Sequence, residues 1–451
     1  MSTFEIADGF KIEQIAAEPL VADPVDMAID EYGRLYVVEM HGYPLDKSGS
    51  GAVKLLEDTD GDGIMDKSTV FADNLVLPTG VMRWKKGILV TDPPNVLYLE
   101  DTDGDGTADK REIILSGFAL ANPQHNVNNP LLGLDNWIYL GHEPAATAKV
   151  YTDYFSDRGS EVFFPAHSDG PRLPRNALGR SVRFNPDKVL LENLSSQTQF
   201  GHTFDKWGNR FLVSNAHHIY HEVIKAAYLD RNKSLLVSNT TESVSDHGNA
   251  ADVYPITKNP EHQLLTDLGV FTAACGITSY SGGLFPSPYD SVTFVAEPVG
   301  NLVHADILRD RGATFTASRL FEQKEFLAST DAWFRPVNMY IGPDGALYII
   351  DYYRQIIEHP EWMADEVAKS GAIYNGIDQG RIYRITPKDT PVLSWSNRLK
   401  MGDETSEQLV ARLADPNTWW RTNAQRLLID RKDLSVVPLL EKLAVEAGSS
   451  L

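Results

Sequence analysis

Six times along this chain an apolar run enters a tight turn of Asp, Asn, Gly or Pro and leaves it as a second β-rich run. The clearest copy is Met27-Ala28-Ile29-Asp30 followed by Gly33-Arg34-Leu35-Tyr36-Val37-Val38. Others fall at residues 81–84 with 87–90, 131–135 with 137–140, 202–205 with 208–213, and 340–345 with 347–350. A weaker copy surrounds Tyr289-Asp290 and Val292-Thr293-Phe294-Val295. Each reads as a β-hairpin, because the turn residues supply the backbone angles that a two-strand reversal needs. No amphipathic helix of useful length interrupts the series. Irregularly spaced, mostly β repeats predict an all-β fold, a β-propeller of six blades, or seven if an insert hides another. Gly380-Arg381-Ile382-Tyr383-Arg384-Ile385 reads as a final strand. It is expected to pair with Phe10-Lys11-Ile12-Glu13-Gln14-Ile15, closing the ring and removing exposed sheet edges.

After Pro387 the character changes. Thr405 and Ser406 look like caps before Gln408-Leu409-Val410-Ala411-Arg412-Leu413, and Asp415-Pro416 opens a second helix, about Thr418 to Asp430. A third runs to about Val445, and Leu409, Leu413, Ala424, Leu427, Leu428, Leu439 and Leu443 recur at helical spacing. The expected domains are a propeller over 5–390 and the start of a HEAT-like helical repeat over 403–448. One and a half units cannot bury their own face, so the chain reads as a fragment whose cut end exposes apolar surface.

A formal net charge of −21 argues against nucleic acid as a partner and against an anionic membrane surface. No apolar run is long enough to span a bilayer, so no membrane insertion is expected. Met1-Ser2-Thr3-Phe4 lacks the basic and apolar regions of a signal peptide. The single cysteine, Cys275, excludes an intrachain disulfide, and no Cys-x-x-Cys-His is present to attach a c-type haem.

Two loops carry alternating carboxylates with Gly sixth, a pattern that wraps a hard cation in oxygen. In the first, Asp58, Asp60 and Asp62 are followed by Asp66 in ninth place, with Thr69 twelfth. In the second, Asp101, Asp103 and Asp105 are followed by Asp109 ninth and Glu112 twelfth. The expectation is structural Ca²⁺; the bland alternative is a pair of metal-free Asp-Gly turns.

The segment Asn122-Pro123-Gln124-His125-Asn126-Val127-Asn128-Asn129-Pro130 crowds polar residues before a strand, where propeller loops ring a channel mouth. His125 there is suited to take a proton from a hydroxyl; alternatively its ring is satisfied by neighbouring Asn side chains. Asn126, Asn128 and Gln199 are expected beside it. His142, His202, His217, His218, His221 and His247 also fall in loops or at strand ends. They suit a metal site, a proton relay or a docking surface, although a lone histidine is more often simply hydrogen-bonded. Arg335, Arg354, Arg381 and Arg384 cluster late in the chain. At a mouth they suit a carboxylate-bearing ligand, and inter-blade salt bridges are the alternative.

Several stretches together carry a resemblance. They are Glu57-Asp58-Thr59-Asp60-Gly61-Asp62-Gly63, Asn126-Val127-Asn128-Asn129-Pro130 with Gly133-Leu134-Asp135-Asn136-Trp137-Ile138-Tyr139, and Gln199-Phe200-Gly201-His202-Thr203-Phe204-Asp205. Further on come Glu297-Pro298-Val299-Gly300-Asn301-Leu302-Val303-His304, Tyr352-Tyr353-Arg354 and Ile357-Glu358-His359-Pro360-Glu361. Over about residues 5 to 387 the chain resembles the propeller of the membrane-bound dehydrogenase proteins of Planctomycetes and Verrucomicrobia. That family is similar, distantly, to soluble PQQ-dependent glucose and sorbosone dehydrogenases. The resemblance implies an exported, periplasmic or extracellular protein, with HEAT repeats and a c-type cytochrome domain following the propeller. It implies that His125, eight residues before Gly133, is the base that removes a sugar or alcohol hydroxyl proton as hydride passes to a quinone. The relatives' cofactor strip is replaced here by Ser196-Gln197-Thr198-Gln199-Phe200, and their Gly-Pro at the catalytic Ca²⁺ by His217-His218. PQQ binding is therefore not carried over.

Three functions compete. One is a quinoprotein-type dehydrogenase passing electrons to a cytochrome. The second is a metal-dependent lactonase or hydrolase, for which Glu297, Asn301 and His304 are candidate ligands. The third is a non-catalytic module that binds carbohydrate or protein.

Overall fold

The tight turns close hairpins by one repeated device. Asp30 Oδ1 accepts the backbone N–H groups of Tyr32 and Arg34, both at 2.9 Å, and Asp205 does the same for Trp207 and Asn209. Asp135 and Asp344 each also accept a hydroxyl from the tyrosine four residues on, Tyr139 at 2.8 Å and Tyr348 at 2.9 Å. Gly33, Gly208 and Gly345 complete three of these turns in the left-handed region, and Asn136 takes that role in a fourth.

The structure, a computed structural model, describes residues 1–145, 152–232, 234–257, 268–391 and 398–446. It is a six-bladed β-propeller followed by helices. The first strand of each blade lines the axis. These inner strands are Pro24–Ile29, Gly80–Trp84, Asn128–Leu132, His202–Phe204, Cys275–Ser279 and Pro336–Ile341, for blades one to six. Neighbouring blades are pinned through them. Asp26 accepts from Val81 N of blade two at 2.8 Å and from Asn338 Nδ2 of blade six at 2.9 Å. Asn128 of blade three reaches the Gln199 carbonyl and accepts from Gly201 N at the entry to blade four.

The ring closes as the sequence predicts. Arg381–Pro387 pairs antiparallel with Phe10–Ala17, placing Ile12 opposite Ile385. The first strand, Phe4–Ile6, pairs with Leu327–Ser329 in blade five. Blade two carries two additional strands, Glu161–Phe163 and Arg172–Arg175, lent by the long connection inside blade three. In blade five the inner strand Cys275–Ser279 and the second strand Val292–Glu297 are separated by residues 280–291. That wide connection is closed by the Tyr280 hydroxyl, which accepts from Leu284 N and Phe285 N and donates to the Gly345 carbonyl.

Apolar clusters fill the spaces between adjacent sheets, so each blade is buried on both faces. The largest continues into Leu409, Trp419, Ala424 and Leu427 of the C-terminal helices. Thr405 caps helix Ser406–Arg412 through a reciprocal bond with Gln408. Helix Thr418–Arg431 begins at Asn417, which accepts from Trp419 N, and helix Val437–Glu446 follows. Leu434 and Val445 are exposed on this last part.

Candidate functional site: the open mouth of the propeller

The two ends of the channel differ. On the hairpin-turn side, helix Thr418–Arg431 lies across the mouth. Gln425 Nε2 donates to the Gly133 carbonyl and to Asn136, Trp420 Nε1 to the Pro343 carbonyl, and Thr418 N to the Ser281 carbonyl. Arg426 Nη2 meets Glu31 Oε2 at 2.7 Å. The space behind the helix is lined by the inner strands and by Trp419, Thr422 and Arg426. It contains the Asp26 carboxyl, which burial pushes up to about 7.

At the other end, the loops entering the inner strands surround a cavity that opens to solvent. Val25, Met40, Phe200, Val337 and Ile357 make it largely apolar, and Tyr43, Gln124, Gln199 and Asn215 supply polar atoms. Such a wall, with few oriented polar groups, is typical of a small-molecule site.

His125 follows Pro123 and Gln124, which line the cavity, and is not itself a lining residue. Pro123–His125 is a short turn whose start is fixed by Asn122, which accepts from Gln124 N at 3.1 Å. Asn126 Oδ1 accepts from Ala121 N, holding the other end. The His125 Nδ1 is hydrogen-bonded to Glu143 Oε1, and the side chains are 21% and 11% exposed. Glu143 follows directly on strand Ile138–Gly141 and His142. A carboxylate on Nδ1 orients the ring and leaves Nε2 as the basic atom. His359 lies nearby; burial, with His125 as a neighbour, lowers it to about 4, so it is neutral near pH 7. Gln124 Nε2 donates to the Tyr43 hydroxyl at 2.8 Å.

The other residues singled out in the sequence are distributed unevenly. Gln199 lines the cavity and exchanges two hydrogen bonds with Asn215. Asn128 is buried in the blade three to four staple. His142 is buried against Asn176, and burial lowers it to about 4. His202 is buried on the hairpin-turn side, between the Asn129 carbonyl and Arg210. His217 is half-buried and stacks on Tyr220, while His218 belongs to a separate cluster with His304 and Asp306. His221 Nδ1 meets the Thr314 hydroxyl at 3.0 Å. Arg335 is buried and donates to the Arg354, Pro298 and Gln355 carbonyls. The Arg354 guanidinium is also buried and grips both oxygens of Asp23, at 2.7 and 2.8 Å. Arg381 pairs with Glu18 and stacks over Tyr353 at 3.6 Å. Glu297 is buried and accepts from Thr272 N and Ala273 N, and Asn301 donates to the Ala332 and Phe334 carbonyls.

The acidic loops join the third and fourth strands of blades one and two. They therefore lie on the side of the hairpin turns, opposite His125. Oxygens of Asp58, Asp60 and Asp66 converge, as do those of Asp101, Asp103 and Asp105. Asp58 and Asp101 each accept two glycine N–H groups, Asp62 accepts from Ile64 N, and Asp109 accepts from Thr102. Glu112 stands on the following strand beside Lys110 at 3.3 Å. The converging donors are all carboxylate oxygens, which suits a hard cation.

Residues 1–389 match a family described as a domain of unknown function (DUF7133). The chain belongs to that family. No curated protein sequence matches it. Among solved structures it is similar to a luciferin-regenerating enzyme at 12% identity and TM-score 0.46, covering 85% of this chain and 98% of that one. It is similar to the PQQ domain of pyranose dehydrogenase from Coprinopsis cinerea at 15% identity and TM-score 0.43, covering 85% and 97%. The soluble aldose sugar dehydrogenase from Escherichia coli is 11% identical, with TM-score 0.44 and coverage of 84% and 100%.

The open mouth of this DUF7133 propeller does not fit PQQ. A tricarboxylate needs cationic partners, and no lysine or arginine among the described residues lines the cavity. Arg335 and Arg354 are committed to carbonyls and to Asp23. Of the residues singled out in the sequence, Gln199 and the segment holding Gln124 lie at the cavity; Tyr43, and Glu143 beside His125, were not among them. The available signal for Glu143 was a Gly-His-Glu run ending an apolar strand, where a charged residue has to face a loop.

Proposed function

We propose that the open mouth binds a neutral hydroxylated small molecule, a sugar or an alcohol, and that His125 removes a hydroxyl proton. The observation that carries this is the His125–Glu143 pair, whose histidine directly follows Pro123 and Gln124 in the lining of an apolar cavity without cationic groups. Glu143 orients the imidazole and stabilises the imidazolium formed when Nε2 takes the proton. Tyr43, Gln124 and Gln199 supply hydrogen bonds for the remaining hydroxyls. In this reading the protein is an exported oxidoreductase acting on CH–OH groups. The hydride that leaves carbon passes to a two-electron acceptor of the quinone class other than the tricarboxylate PQQ. From it the electrons go on singly to a c-type cytochrome domain, in keeping with the family resemblance of the sequence. The helices after residue 403 are the beginning of a HEAT-like array leading to that domain. The two acidic loops hold structural Ca²⁺.

The test is a panel of neutral sugars, polyols and sugar lactones, read by ligand-observed NMR and by dye-coupled oxidation, with and without added PQQ and Ca²⁺. Sugar binding and oxidation are expected, with oxidation lost in His125→Ala and Glu143→Gln. Lactone opening that depends on the same pair would replace oxidation by hydrolysis, with His125 activating water. Binding without either reaction would make the propeller a carbohydrate-binding module. Oxidation unchanged in His125→Ala would overturn the assignment of the base.

A further inference from the structure

Between blades four and five, outside the channel, three imidazoles converge on one carboxylate. His218 stands on the third strand of blade four, His217–Glu222, and His304 and Asp306 share one face of the third strand of blade five, Leu302–Arg311. His247 comes from the loop after Thr241–Ser243. Nε2 of His218 lies 3.0 Å from Asp306 Oδ2. Nε2 of His304 and of His247 lie 3.1 and 3.7 Å from Asp306 Oδ1. One donor atom from each of the four residues falls within 4.8 Å of all the others.

The outer nitrogens are organised as well. His304 Nδ1 meets Glu325 Oε2 at 2.7 Å, and His247 Nδ1 meets Asp246 Oδ1 at 3.0 Å. A carboxylate behind the ring fixes the tautomer that leaves Nε2 free to coordinate. The His218 ring stacks on Phe271 with centroids 4.6 Å apart. Hydrogen bonding serves the group incompletely: His218 and His304 reach Asp306 at 3.0 and 3.1 Å, whereas His247 stands off at 3.7 Å. The Nε2 atom of His247 is buried and has no hydrogen-bond partner among the described residues. Placing three imidazoles side by side between two sheets is costly unless something holds them together.

We propose that Nε2 of His218, His247 and His304, with one carboxylate oxygen of Asp306, form a site for a single divalent first-row transition-metal ion, of which Zn²⁺ is the reference. Three nitrogens and one oxygen suit such an ion and disfavour Ca²⁺ and Mg²⁺, which take oxygen donors. Four protein ligands complete a tetrahedron, the arrangement of a structural rather than a catalytic zinc site. The ion would tie blade four, blade five and the 245–250 loop at one point. Entry is from the outer surface, where Asp246 is 45% exposed behind the 14% exposed His247. The site differs in donor chemistry from the two acidic loops, and it stands independently of the His125 reading.

The whole chain, stripped with a chelator and dialysed, is titrated with Zn²⁺ and with Co²⁺. One equivalent of metal is expected to survive gel filtration, with a visible Co²⁺ ligand-field spectrum of tetrahedral type and a rise in Tm. His247→Ala alters only a loop and should abolish the spectrum and the Tm rise while leaving the metal-free circular dichroism unchanged. Glu325→Gln, acting behind His304, should weaken Zn²⁺ by about 10- to 100-fold. Asp60→Asn and Asp103→Asn should change neither. Absence of a stoichiometric tight site in the stripped wild type overturns the proposal. So does a Co²⁺ spectrum that is unchanged in His247→Ala or that vanishes with the acidic-loop variants.

Discussion

The closed mouth rests on one buried carboxylate, and the consequence can be measured. Glu31 receives Arg83 Nε and Nη2 at 3.1 and 2.9 Å from blade two, and Arg426 Nη2 at 2.7 Å from the capping helix. All three side chains are at most 7% exposed. Burial opposes the charge on Glu31, but the two guanidinium groups outweigh it and hold the carboxyl at about 2, against an ordinary 4.5. That difference corresponds to about 3 kcal/mol favouring the carboxylate in the fold. The substitution Glu31→Gln keeps the shape, removes the charge and leaves two buried cations facing each other. Amide exchange in helix Thr418–Arg431 should then rise by about 100-fold, since each 1.4 kcal/mol is about tenfold. Arg426→Met removes one partner and should cost less, because Arg83 still holds Glu31. A lowered carboxyl pKa stabilises above the unfolded value and loses that effect as pH falls. Protection of the helix in the wild type should therefore decline between about pH 4.5 and 2, and should be flat there in Glu31→Gln. Exchange of this helix that is the same in wild type and Glu31→Gln would refute the reasoning.

Two other sites make separate predictions. His41 lies between Asp23 at 3.1 Å and Glu39 at 3.0 Å. Burial disfavours its charge, yet the two carboxylates raise it to about 9. A raised histidine stabilises fully below its unfolded value of 6.5 and loses that effect as pH rises through 9, so Tm should fall across this window in the wild type and not in His41→Gln. Arg335→Met deprives three buried carbonyls of their donor and should lower unfolding stability by at least about 3 kcal/mol in guanidinium titrations. A loss below about 1 kcal/mol would mean that water replaces the guanidinium.

The propeller was legible because its turns are local. An Asp that accepts its own loop's N–H groups needs no distant partner, and the same short signal recurs around the ring. Blade five was faint for the matching reason: its wide connection is closed by Tyr280 through a hydroxyl bonded to Gly345, a residue 65 positions away. The strands that the blade-three insertion lends to blade two left no periodic trace either. The loop that carries His125 was legible from its polar run, whereas Glu143 meets it from beyond the end of strand Ile138–Gly141, 18 positions on. The arginines could not be placed from sequence, since a guanidinium serving three carbonyls and one binding a carboxylated ligand carry the same letter. His304 and Asp306 did leave a signal: polar residues at alternate positions in the otherwise apolar stretch 302–308 share one buried face.

The N-terminal strands set the order in which the molecule can be completed. Phe4–Ile6 and Phe10–Ala17 are made before the rest of the propeller, yet their partners are Leu327–Ser329 and Arg381–Pro387. For most of synthesis these two strands are unpaired edges waiting for residues more than 300 positions away, and folding driven by such distant pairings is slow. A chain shortened at its front would carry that unfinished state permanently, with open strand edges on blades five and six available to pair with another copy.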